Sequence, residues 1–545
     1  VNVGMSEFFK NLVSGESNIH RRGGPLFPTF TQSLINYMKK LPIYLTIFTA
    51  CFLASSCDKG FDELNVNPNA LTKVDPGFQF NTAVVNSAFA YSNLQYETII
   101  VKQMINPFSG VGAAGQYNQD NRGVTAANWQ RYYRSVIREL VDVIAQTKEV
   151  PARSNLYNMA RIWKAYAFMV LTDTYGDVPY TQAGRSYLEG IVAPSYDAQE
   201  EIYTDLLKEL ETASAALDPA KALVSTDVLY GGDITKWKRL SNSLLLRGGM
   251  RLSKINPTKA AEVVAKAVAG GVMQSNDDNA MLRHTASFSN PVGAQLNGGQ
   301  ADFFYLAKDF VDYLKTNNDP RLASIAVRYV GSRSAVDQKE SKADRSPAVQ
   351  IGMPLGFDNT TISAAVKADN LASLYEYSQL DRSRLAGLLS PTIFVTYAQT
   401  QLLLAEAVVR KWTTGDAPTL FANGIRAHMK QLALYGASSA ISDAAVATYL
   451  QALPLVNGKE LEQINSQYWV ASFLNGPEAW ANFRRSGFPV LTPNPFPGTD
   501  LKTESFIRRL TYTDAELNVN RTNVQAAITR QGPDLLDTRF WWDKK

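Results

Sequence analysis

Three polar segments combine aromatic rings with amides and charges: Gln116-Tyr117-Asn118-Gln119-Asp120, Ser287-Phe288-Ser289-Asn290 with Gln295 and Asn297 downstream, and Tyr375-Glu376-Tyr377. A ring covers the C–H face of a pyranose and excludes water, while amides and charges satisfy the hydroxyls around its edge. Tyr117, Asn118, Phe288, Asn290, Gln295, Tyr375 and Tyr377 are therefore the candidate ligand contacts. They lie outside the apolar stripes that build a core, so their rings are expected to be exposed. The competing role for each ring is packing within its own loop.

Other chemistry finds less support. Gly110-Val111-Gly112-Ala113-Ala114-Gly115 spells G-x-G-x-x-G, but a dinucleotide fingerprint needs a strand before it and a helix directly after. Here a helical pattern ends at Asn106-Pro107 and polar residues 116–122 follow, which reads as a flexible loop. Gly436-Ala437-Ser438-Ser439-Ala440 lacks the last glycine of a nucleophile elbow. A glycoside hydrolase needs two carboxylates that can be far apart in the chain, and nothing marks such a pair. No catalytic residue is assigned. His284 and His428 are the histidines beyond residue 57, and neither sits in H-E-x-x-H. Asn276-Asp277-Asp278-Asn279 lacks EF-hand spacing and reads as a solvated turn, so a structural calcium is unsupported and no cofactor is expected.

Met38-Lys39-Lys40, an uncharged run from Leu41 to Ser56 and the small residues before Cys57 have the layout of an export signal. Pro42, Thr46, Thr49, Ser55 and Ser56 interrupt that run, and crossing roughly 30 Å of hydrocarbon takes about 20 mostly apolar residues. Removal is therefore expected rather than retention. Leu53-Ala54-Ser55-Ser56-Cys57 resembles a bacterial lipobox, with Cys57 as the lipidated mature N-terminus; the alternative is a plain secretory peptide cut near Ala54. Val1–Tyr37 reads as an extension upstream of the true start.

Of 54 Lys and Arg and 50 Asp and Glu, the first 56 residues hold five and two, leaving 49 against 48 and a charge of +1. That balance gives no basic surface for nucleic acid. The two cysteines are Cys51, inside the signal, and Cys57, so the mature chain can form no internal disulfide and no cysteine-based metal or redox site.

Helical periodicity positions the candidate loops. Leu156, Met159, Trp163, Tyr166, Val170 and Leu171 form one stripe over 155–175, and Gly176 follows as a stop. Asp197 with Glu200 suggests a capping box for a helix that buries Ile202, Leu206, Leu210, Ala213 and Leu217. A further helix is expected over 234–253, with Trp237, Leu240, Leu244 and Leu245 inward, and Pro257 opens its neighbour. Residues 276–390 are rich in Gly, Asn, Ser and Pro, with one helix over 303–314 and a turn at Asn317-Asn318-Asp319-Pro320. Ser390-Pro391 reads as cap and first turn of a helix through Ile393, Phe394, Tyr397, Leu404, Ala405 and Val408. Helices are also expected over 461–474 and from Pro477, with mostly coil after Gly487.

The chain resembles the SusD-like lipoproteins that partner TonB-dependent SusC-like transporters in Bacteroidetes. The residues that carry this are Cys57 followed by Phe61-Asp62-Glu63-Leu64-Asn65-Val66-Asn67-Pro68-Asn69, then Thr172-Asp173-Thr174-Tyr175-Gly176-Asp177-Val178-Pro179-Tyr180 and Trp237-Lys238-Arg239-Leu240-Ser241-Asn242-Ser243-Leu244. Leu402-Leu403-Leu404-Ala405-Glu406-Ala407 and Arg508-Arg509-Leu510-Thr511-Tyr512, with Glu516 and Asn520, continue it. The resemblance implies a mainly α-helical fold of four TPR-like helix pairs with a loop-rich ligand face and few or no long strands. It divides the chain into an upstream extension (1–37), a signal peptide (38–56), a tether (57–76) and one domain (77–545). Within that domain come a helical part (77–275), a loop-rich insertion (276–390) and a helical and coil part (391–545). The implied protein is a non-enzymatic lipoprotein anchored on the outer-membrane surface, capturing oligosaccharide for a SusC-like transporter. Peptide capture within the same family and surface glycan hydrolysis are the alternatives. Trp163, Tyr175 and Trp237, inside or beside the matching motifs, are expected in the core.

Overall fold

Start and stop signals written in the sequence set most of the helices. The computed structural model describes residues 74–108 and 114–545; the signal, Cys57, the Phe61–Asn69 motif and most of the G-x-G-x-x-G loop lie outside the described residues. Among the helices are α1 (Pro76–Asn86), α2 (Arg122–Tyr132), α3 (Arg138–Thr147), α4 (Ser154–Tyr175), α5 (Gln199–Ala216), α6 (Ile234–Arg251) and α7 (Pro257–Gly270). Within the loop-rich middle lies α8 (Lys308–Thr316), and after it come α9 (Tyr397–Val409), α10 (Ala417–Gln431), α11 (Glu460–Ala471), α12 (Gly476–Ser486) and α13 (Arg521–Gln531).

Capping explains where they begin and end. Asp233 accepts from the Lys236 amide at the start of α6, and Asn256 caps α7, whose first residue is Pro257. Helix α4 stops at Gly176, whose φ of +85° a β-carbon would disfavour. Helices close in sequence pack in pairs: α3 on α4, α6 on α7, α9 on α10 and α11 on α12, with α5 between α4 and α6. Trp163, Tyr175 and Trp237 are fully buried, as expected of scaffold, and so is the stripe Ile202, Leu206, Leu210, Ala213 and Leu217.

Buried ion pairs join these layers. Glu406 on α9 takes two bonds of 2.7 Å from Arg485 on α12, and both side chains are fully inaccessible. Arg251 at the end of α6 reaches Asp173 on α4 at 3.1 Å and Glu478 on α12 at 2.7 Å. The 172–180 motif therefore acts as a junction: Asp173 also accepts from Tyr203 and from the Trp542 indole.

Strands are short. β1 (Met104–Ile105) pairs antiparallel with β3 (Tyr305–Leu306), and β2 (Ala280–Leu282) pairs with β7 (Thr392–Val395). β4 (Ala326–Tyr329) lies between β5 (Ala343–Asp344) and β6 (Gln379–Leu380).

Three sequence expectations need correction. The N-cap of α5 is Ala198, whose side chain cannot cap; its amide donates to Glu201 Oε2 at 3.4 Å, and Asp197 instead accepts from the Tyr180 and Thr181 amides. Residues 392–395 are strand, since Thr392, Ile393 and Val395 are β-branched and find a partner in β2, and Thr396 caps α9. Tyr305–Leu306 is likewise strand, so the helix expected over 303–314 starts at Lys308. The region after Gly487 is mostly coil, as expected, with Asp514–Val519 and α13 within it. Asn318, with φ +49°, marks the expected turn.

Candidate functional site

The β1–β3 pairing joins segments some two hundred residues apart, and it sets Phe108, three residues after β1, beside Phe303, two residues before β3. Their rings stack with centroids 4.8 Å apart and planes 30° off parallel. The segment entering β6 adds a third ring: Leu306 donates to the Ser378 carbonyl, and Tyr375 stands 6.4 Å from Phe108. All three rings are half-buried. They form an aromatic ledge partly open to solvent.

Its backbone is pinned from several sides. The Pro107 carbonyl accepts from the Tyr117 hydroxyl at 2.8 Å and from the Asn359 amide at 2.8 Å, and the Phe108 amide donates to Asn106 Oδ1. The Tyr375 amide donates to Ser373 Oγ, and its carbonyl accepts from Gln338 Nε2 at 2.9 Å. Polar groups border the rings. Burial, together with the Asp302 carboxylate, pushes the Tyr305 hydroxyl pKa well up, and Gln338, Tyr375 and Arg382 also lie around it. Neither the Tyr305 hydroxyl nor Gln338 Oε1 makes a well-aligned hydrogen bond. Arg382, half-exposed, stands 5.9 Å from the Tyr329 ring centroid and donates to the Leu296 carbonyl. An aromatic face edged by a carboxylate and an amide can stack on an apolar ligand face and bond polar groups at its rim.

The residues singled out in sequence scatter across this geometry. Tyr375 belongs to the ledge. Tyr117, expected to be exposed, is only 4% accessible; its ring packs 4.2 Å from that of Phe496, and burial raises its hydroxyl pKa. Tyr377 is fully buried, with its hydroxyl 2.7 Å from Asp369 Oδ2. Both rings pack inward because neighbouring segments supply apolar walls that local composition does not reveal. Asn118 is buried with φ +51°, and its carbonyl accepts from the Asp500 amide. Asn290 caps the short helix Pro291–Leu296 through the Gly293 amide and donates to the Ser390 carbonyl. Gln295 is exposed. Phe288, half-buried, stacks on His284 at 5.4 Å, beside β2 and β7.

Phe108 and Phe303 were not candidates in sequence. Each lies in a polar or Gly-rich stretch, which was the available signal, but their meeting depends on a pairing of two two-residue strands. The dinucleotide reading has no structural context, since residues 114–118 are turn and not helix. Asp278, read as part of a solvated turn, is buried and bridged to Arg239 at 3.1 Å. No group of metal-ligating side chains occurs among the described residues.

A family model described as starch-binding, associating with the outer membrane, SusD-like, matches residues 68–513. The solved structure of a chitin-binding protein is similar at 30% identity and a TM-score of 0.76, covering 86% of this chain and 100% of that one. A Bacteroidetes SusD-like protein is similar at 27% identity and TM-score 0.76, with coverage of 87% and 100%. A chitin-binding SusD homologue from Flavobacterium johnsoniae is similar at 25% identity and TM-score 0.70, with coverage of 86% and 99%. No curated protein sequence matches the chain.

Proposed function

The chain belongs to the SusD-like family, and from that premise we propose that it captures oligosaccharides at the cell surface on the Phe108–Phe303–Tyr375 ledge. It hands them to a SusC-like TonB-dependent transporter without cleaving them. The observation that carries this reading is the meeting of three half-buried rings from distant segments, with Asp302 and Gln338 beside Tyr375. Rings so placed have part of their surface free for a ligand, whereas Tyr117 and Tyr377 have given theirs to packing.

The relatives narrow the ligand class. The family model is described as starch-binding and two of the similar solved structures are of chitin-binding proteins, and both starch and chitin are pyranose polymers whose C–H faces suit stacking. Acyl anchoring at Cys57 would hold such a protein at a membrane through lipid, and no helix among the described residues is long and apolar enough to cross one.

Calorimetry of the purified protein against maltooligosaccharides, chitooligosaccharides and mixed peptides tests the reading. Saturable binding of one saccharide series with no new reducing ends is expected. Binding of peptides alone would move the protein to peptide capture, and release of reducing ends by the pure protein would make it a hydrolase.

A further inference from the structure

A second concave surface lies close to the ledge, between α8 and residues 489–492. It encloses about 470 Å³ and is lined by Lys308, Asp312, Tyr313, Asn317, Val490 and Thr492, among others. That volume falls in the range of small-molecule sites, about 300–1,000 Å³. The lining has a composition like that of the ledge: a half-buried ring with carboxylate, ammonium, amide and hydroxyl groups around it. Tyr313 is held rigidly, its ring edge-on to Trp469 at 5.6 Å and its hydroxyl accepting from Gln467 Nε2. The half-exposed Asp312 carboxylate takes Lys308 Nζ at 2.6 Å, so the charges of this wall are balanced.

The groove is tied to the ledge through shared chain. Lys102, two residues before β1, bonds both Asp309 on α8 and the Thr492 hydroxyl, fastening one groove wall to the other. The six residues from Lys102 to Phe108 span at most about 22 Å, and the five from Phe303 to Lys308 at most about 18 Å. Past Thr492 the same wall segment runs on to the loop behind the ledge: Asn494 donates to the Gln116 carbonyl and Phe496 packs on Tyr117.

We propose that this groove is a second saccharide subsite, taking the continuation of an oligosaccharide whose other end rests on the ledge. This rests on the reading of the ledge as a saccharide site. A chain long enough to reach both sites gains from the second contact without a second encounter, whereas a disaccharide held on the ledge gains nothing. The subsite would make the protein select for chain length.

Val490 is 77% exposed, so Val490→Arg would fill the groove without opening a core cavity, and Asp312→Ala would remove a polar contact from its wall. Calorimetry with maltose and maltoheptaose, and with chitobiose and chitohexaose, would be run on both variants with thermal melts alongside. Each variant is expected to weaken the longer sugar at least about fivefold, leaving the disaccharide and the melting temperature unchanged. Equal affinity for the longer sugar in the wild type and both variants overturns the subsite while leaving the ledge intact. Absence of any saccharide binding by the wild type overturns both readings.

Discussion

Phe108, Phe303 and Tyr375 should each contribute to ligand affinity, because a half-buried ring keeps surface to offer. Replacing any one by alanine is expected to cost about 1 kcal/mol of binding, roughly a fivefold rise in Kd by titration calorimetry. Unchanged affinity in all three would place the site elsewhere. Tyr377→Ala should behave differently, costing about 3–5 kcal/mol of stability in denaturant unfolding as a core ring does. Glu97 is a residue-scale test of electrostatics. It is fully buried, and burial raises its pKa to about 7, against the opposing pull of Asn93, Arg131 and Arg484. The folded chain therefore holds this proton more tightly than the unfolded chain, whose glutamates titrate near 4.5. Its contribution is complete below pH 4.5 and is lost as pH rises through 7, about 3 kcal/mol in all. Glu97→Gln should flatten that part of the stability profile and raise stability at pH 8. A parallel profile for wild type and variant would refute the shift.

Element boundaries were legible wherever a local signal sat on a periodic stripe. Gly176 ended α4 and Pro257 opened α7 because the terminal backbone geometry is decided by the residue itself. The same reasoning failed at Ser390-Pro391, where a plausible cap and helical run became β7: pairing with β2 at residues 280–282 satisfies the backbone of 392–395 as a helix turn would. The helix pairs depend on close approach that sequence does not announce. A β-carbon on Gly424 of α10 would lie 2.7 Å from Leu402 Cγ and 3.1 Å from the Ala398 carbonyl on α9. Gly424→Ala should therefore destabilise by about 1–3 kcal/mol, although glycine-to-alanine in an open helix would stabilise by roughly 1 kcal/mol. A rise in melting temperature would show that α9 and α10 are packed less tightly.

At the scale of the whole molecule, the Glu406–Arg485 pair and the Asp173–Arg251–Glu478 chain tie helices from both ends of the sequence together. Arg485→Met would leave the buried Glu406 carboxylate with only Arg410 and Asn465 and should cost about 3 kcal/mol. Despite its burial, Arg485 and Arg410 hold Glu406 down to a pKa of about 2. Its stabilising contribution is thus present above about pH 4.5 and lost as pH falls toward 2, a dependence that acid titration of the variant should show weakened, with Arg410 alone still paired. Attachment and partnership belong to this scale too. Cys57→Ala should release the protein from membranes or leave it unprocessed, and pull-down from native membranes should recover a TonB-dependent barrel; membrane retention of a processed variant, or recovery of no barrel, would count against each. The sequence by itself determined that the chain is mainly helical and a member of its family, because periodic stripes, caps and ordered motifs are local and repeat along the chain. Only the tertiary structure decided which aromatic rings remain available to a ligand. That choice depends on β1 meeting β3 and on Phe496 covering Tyr117, contacts between segments about two hundred and nearly four hundred residues apart. Local composition makes Tyr117, Tyr375 and Tyr377 look alike; burial by distant segments is what makes them different.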